Sequence, residues 1–80
     1  MTTTQIAKPD TRVLEFALFC VDALAEDLGL SPTAAYDLLA RDSDVMHSYI
    51  FACYDALHTQ GKEYIVEDLK DALKEHGLVI

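Results

Sequence analysis

Val13-Leu14-Glu15-Phe16-Ala17-Leu18-Phe19-Cys20-Val21-Asp22-Ala23-Leu24-Ala25-Glu26-Asp27-Leu28 is the most apolar stretch of the chain, and its reading decides the fold. At about 100° per residue, Val13, Ala17, Cys20, Val21, Leu24 and Leu28 share one broad face, while Glu15, Asp22 and Glu26 share the opposite strip. That is the pattern of a helix with one side in a core and the other in water. Asp10 or Thr11 can accept hydrogen bonds from the first-turn amides, and Gly29 supplies the positive φ common at a helix end, with Leu30 folding back towards Ala25. This is the predicted central helix, and the remaining segments are its cover.

Downstream, Ser31-Pro32 pairs an N-cap with a proline at the first helical position, which starts a second helix. Ala35, Leu38 and Leu39 form its apolar face, Tyr36 sits at the edge, and it ends at 41–43. A third helix is predicted over 44–58, with Met46, Ile50, Cys53 and Leu57 as its core stripe and Tyr49 beside it. His47, Phe51, Asp55 and His58 fall on its other side. Thr59-Gln60-Gly61 closes it, and Gly61 is expected to take the left-handed conformation. The fourth helix begins between Lys62 and Val66, turns Ile65, Leu69, Ala72 and Leu73 inward, and stops at Gly77, with Leu78 set against Leu73. Residues 1–9 read as a flexible tail. The fold class is therefore all-α: a compact four-helix, orthogonal bundle-like single domain over residues 10–80, with Val79-Ile80 lying on the core.

Composition narrows the function classes. Eighty residues hold one core, and 51% apolar with 25% charged residues makes a globular chain. Fourteen acidic residues against six basic ones give a net charge of −8, which repels nucleic-acid phosphates and anionic lipid headgroups. Lys8, Arg12, Arg41, Lys62, Lys70 and Lys74 are scattered, so no basic footprint forms. No nucleic acid and no membrane partner is expected. The N-terminus lacks an apolar signal core, and Glu15 and Asp22 interrupt the candidate membrane run, so the expected location is cytoplasmic. Cys20 and Cys53 read as small buried hydrophobes.

Chemistry-bearing clusters are sparse. Asp55 and His58, with Tyr54 nearby, can touch on one helix face, but no nucleophile stands beside them. His47, His58 and His76 show no metal-ligand spacing, and no glycine-rich phosphate loop is present. Neither a metal nor a cofactor is expected. Phe19 lies within about 40° of Glu15 and Glu26 on the wheel, and Phe51 occupies the outer side of the third helix. An aromatic in such a place either is covered by another element or marks a partner surface. Phe16, Phe19, His47, Phe51, His58 and Gln60 are the candidate partner-binding residues.

Tyr54-Asp55-Ala56-Leu57-His58-Thr59-Gln60-Gly61, followed by Glu63-Tyr64-Ile65-Val66-Glu67-Asp68, resembles a family of short bacterial proteins of unknown function. Leu14-Glu15-Phe16, Cys20, Leu30-Ser31 and Tyr36-Asp37-Leu38-Leu39 extend the resemblance nearly end to end. It implies a stand-alone helical domain in gut and related bacteria. Genes of such proteins sit beside those of other small proteins, some similar to ADP-ribosyltransferase-like toxins, which implies an antitoxin-like or accessory binding role. Physically, Tyr54 and Leu57 of the motif can pack, His58 and Thr59 can satisfy closing carbonyls, and Asp55 can hold the His58 ring nitrogen. The same corner, with Gln60 offering donors and acceptors, can also serve recognition.

The expected function is a non-enzymatic module that binds another protein, or itself, through an aromatic helical face. One alternative is a helix-turn-helix regulator built from the second and third helices, against which the lack of Arg or Lys over 44–58 counts. The other is a small enzyme using Asp55 and His58.

Overall fold

The computed structural model describes residues 11–78, and all its regular elements are helical. The expected tail at 1–9, the Asp10 cap and the seat of Val79-Ile80 lie outside the described residues. In chain order the elements are α1 (Thr11–Leu28), α2 (Pro32–Ala40), a π-helix (Met46–Phe51), α3 (Tyr54–Leu57) and α4 (Lys62–Glu75). α2, the π-helix and α4 each pack against α1, which makes α1 the central element.

α1 follows its hydrophobic pattern. Ala17, Cys20, Val21 and Leu24 are buried, and so are Ala23 and Ala25, while Val13 and Leu28 are half-buried. Glu15, Asp22 and Glu26 face water. Its end forms as the sequence predicts: Gly29 has φ +70°, and the Leu30 amide donates to the Ala25 carbonyl at 2.9 Å. Ser31 then caps α2, its hydroxyl accepting from the Ala34 amide at 3.1 Å. Ala35 and Leu39 seat α2 in the core. α4 buries Ile65, Val66, Leu69 and Leu73 and closes at Gly77, φ +86°, where the Leu78 amide reaches the Leu73 carbonyl at 3.1 Å.

The segment 44–58 departs from expectation, so that among the described residues the predicted four helices become five, three of them seven residues or longer. One continuous helix is replaced by a π-helix, a break at Ala52 and Cys53, and the single turn α3. Cys53 has φ −107° and ψ 19°, in the bridge region outside the helical well, and interrupts the ladder there. Upstream, both the amide and the hydroxyl of Ser48 donate to the Asp44 carbonyl, each at 2.7 Å. The hydroxyl thus shares the Asp44 carbonyl with the amide, a local side-chain bond of the kind that bends helices. The wider turn of the π-helix re-sorts the faces. Positions five apart diverge by about 140° on an α-helix but share a face on a π-helix, so Val45 and Ile50 are both fully buried. Met46 and Leu57 keep their predicted core places, whereas Cys53 is only half-buried.

Gly61 is also not as predicted. Its φ of −74° and ψ of 161° are extended, and it serves as the N-cap of α4 instead of a left-handed closing residue.

Candidate functional site

An apolar groove of about 340 Å³ runs between α1, α2 and the π-helix. Its floor is Ala17, Val21 and Met46, all buried, with Ala40 half-buried at one side. Its walls are Leu14 and Leu18 of α1, Tyr36 of α2, and His47 and Phe51 of the π-helix. The small side chains of Ala17 and Ala40 leave the space between its walls unfilled. Leu18 is 64% exposed, Tyr36 49% and Leu14 44%, and their adjacency around one groove makes a contiguous apolar patch. On the wheel, Leu14 and Leu18 occupy the flank of α1 between the buried face and the acidic strip.

A second aromatic group lies on the other flank of α1. Phe19 stacks on Phe16 with ring centroids 6.2 Å apart, and Phe16 meets Tyr54 edge to face at 5.5 Å. Tyr54 stacks on His58 at 4.4 Å and 9°. These contacts run from an exposed Phe19 on α1, 40% accessible, to the exposed His58 beyond α3. Aromatic pairs in such offset and edge arrangements add roughly 0.5–1.5 kcal/mol each beyond their burial, so the series ties α3 to α1.

Five of the six candidate residues thus divide into two sets. His47 and Phe51 line the groove, where they touch edge to face at 5.0 Å. Phe16, Phe19 and His58 belong to the aromatic series on the opposite flank. Phe51 is half-buried and packed on the core, so its outer place on the α-helical wheel is corrected by the π-turn. Gln60 is exposed, and its backbone N–H donates to the Leu57 carbonyl at 2.9 Å. His58 Nδ1 bonds the Tyr54 carbonyl at 2.7 Å, in place of the Asp55 carboxylate, and Thr59 Oγ1 donates to the Ala56 carbonyl at 3.0 Å. Asp55 is exposed, and Leu57 is buried. Leu18 and Tyr36 of the groove are absent from the sequence-derived candidates. The available signal was an apolar residue at the edge of an acidic strip, and its meaning depends on where α2 and the π-helix end.

Electrostatics are concentrated at the α1–α4 seam. Lys62 pairs with Glu26, and Lys70 bridges Asp27 at 2.9 Å and Glu67 at 3.0 Å. Hydrogen bonds to Asp27 first, then to Glu67, raise the Lys70 ammonium above its ordinary range. These exposed pairs contribute little individually. A hollow of about 450 Å³ between these helices is lined by Ala23 and Val66 together with Glu26, Asp27, Lys62, Glu63 and Glu67. Among the described residues, no group of three His, Cys, Asp or Glu side chains stands close enough to hold a metal, and no polar or charged residue is buried. Burial pushes the Cys20 thiol up to about 12, which keeps it protonated and unreactive at neutral pH. No described helix is long and apolar enough to cross a membrane.

Residues 15–76 match the model of a family described as protein of unknown function, DUF3791. The chain belongs to the DUF3791 family. No curated protein and no solved structure matches it. Within this family member the matched segment contains α2, the π-helix, α3 and α4 whole, and it begins at Glu15, inside α1. It therefore takes in Leu18, Tyr36, His47 and Phe51 of the groove.

Proposed function

We propose that the chain is a non-enzymatic interaction module of the bacterial cytoplasm that docks a protein partner in the groove between α1, α2 and the π-helix. The observation that carries this reading is the exposed apolar wall of Leu14, Leu18 and Tyr36 over an apolar floor, on a domain whose other large side chains are mostly packed. Covering Leu14 and Leu18 contributes on the order of 1 kcal/mol each, a driving force that monomeric folding leaves unused. The groove's volume falls in the roughly 300–1,000 Å³ range of binding clefts.

Two features support this reading over the alternatives. The ring of His58 is engaged by a backbone carbonyl, which does not orient it towards Asp55 for acid–base work. The segment 44–58 carries no Lys or Arg to meet phosphates, as a groove-reading helix requires. The ADP-ribosyltransferase-like neighbours implied by the sequence resemblance are the first partners to test.

The test is site-specific photo-crosslinking in the native host. A photoreactive residue replacing Leu18 should give a discrete protein adduct, and the same residue replacing Tyr64, 55% exposed on α4, should not. Equal labelling from both positions, or none from position 18, would remove the groove as a docking site.

A further inference from the structure

We infer that the occupant of the groove is a basic amphipathic helix of another protein, an inference that rests on the docking reading above and adds the chemistry of the partner. Two observations select it. First, the described elements offer no strand edge, so an extended peptide would find no main-chain ladder, whereas helical walls framing an apolar slot suit side chains projecting from one face of a helix. Leu14 and Leu18 lie one turn apart, matching the pitch of such anchors.

Second, the lip of the groove is acidic. Leu18 has Glu15 three residues before it and Asp22 four after, so by helical spacing the acidic strip of α1 borders its outer side, and both carboxylates are exposed, Asp22 also edging the hollow on the Phe19 flank. On the facing lip, Asp44 is exposed, 3.6 Å from His47. Arg41, next to Ala40 of the groove, stands 3.9 Å from Asp37, so this base already faces a carboxylate of its own. A partner with Lys or Arg beside its apolar stripe gains complementary charge along the lip. A second copy of this chain would bring −8 against −8 and set carboxylate strips side by side.

The experiment is selection from a displayed library of helical peptides about five turns long, randomised at surface positions, against the intact chain. Enriched peptides should carry apolar residues at i, i+3 or i+4, and i+7, flanked by Lys or Arg. They should lose binding to Leu18→Ser. They should bind Glu15→Gln/Asp22→Asn about fivefold more weakly, with a flatter salt dependence. Enriched peptides that are neutral or acidic yet still require Leu18 would overturn the basic-helix inference while leaving the docking groove standing. Peptides indifferent to Leu18 would overturn both. A dimer in sedimentation that Leu18→Ser dissolves would assign the groove to a second copy and equally overturn the inference.

Discussion

Val45, the residue that leads into the π-helix, and Ile50 within it, five residues on, are both sealed from solvent. An α-helical wheel separates them widely, so their joint burial is the direct packing consequence of the widened turn. It also turns Phe51 to the groove wall instead of fully outward.

Val45→Ala should therefore destabilise the fold by about 2 kcal/mol, as expected for a sealed valine. Cys53→Ala, at a position the α-helical stripe would place in the core, should cost less than about 1 kcal/mol. Chemical denaturation of the two variants measures the order. A larger loss at Cys53 would restore the continuous helix.

The three glycines separate by backbone conformation. Gly29 and Gly77 have positive φ, so Gly29→Ala and Gly77→Ala should each cost about 1 kcal/mol although neither new methyl meets an obstruction. At Gly61 the backbone suits any residue. Alanine there lowers the unfolded chain's entropy but is a poorer N-cap, and these effects of similar size leave the stability within about 0.5 kcal/mol. Thermal melts of the three variants give the comparison.

Much of this architecture was legible in the sequence. Ser31-Pro32, Gly29 and Gly77 punctuate the chain where they do because cap hydrogen bonds and positive φ are local requirements written in residue type. The 3.6-residue pattern likewise exposed the core faces of α1 and α4. The break at Cys53 left no such mark, since residues 44–58 contain neither the glycine nor the proline that usually announces an interruption. Gly61 was misread because glycine is common at helix starts as well as ends. The groove was legible only in part. His47 and Phe51 stood out on the wheel, but Leu18 became informative only once its neighbours were seen to leave it uncovered.

Burial of the Cys20 thiol makes stability fall in alkali. Its pKa rises from 9.0 to about 12 on folding, so above 9.0 the unfolded chain releases a proton that the folded chain retains. The contribution is complete below 9.0 and is lost as pH climbs towards about 12, with a slope of up to about 1.4 kcal/mol per unit. Denaturation of wild type and Cys20→Ala across that window should show the steeper decline in wild type. Parallel curves would mean that the thiol is not sealed.

Aromatic truncations should rank by burial. Leu24→Ala, at a fully buried site, should cost about 3–5 kcal/mol. Phe51→Ala, half-buried on the core, should cost about 2 kcal/mol, and Phe19→Ala about 1 kcal/mol. Urea midpoints at a single protein concentration provide the ranking. Equal losses for Phe19 and Leu24 would place Phe19 in the core.

The most direct measurement pairs stability with capture in the double variant Leu14→Ser/Leu18→Ser. Leu18 is 64% and Leu14 44% exposed, so the double variant should stay folded and lose about 2 kcal/mol, less than Leu24→Ala alone. A photoreactive residue at position 36, on the facing wall, should label a protein partner in the wild-type background and lose that adduct in the double variant. Retention of the adduct with both leucines gone, or collapse of the fold on their removal, would contradict the claim that this groove is a docking face.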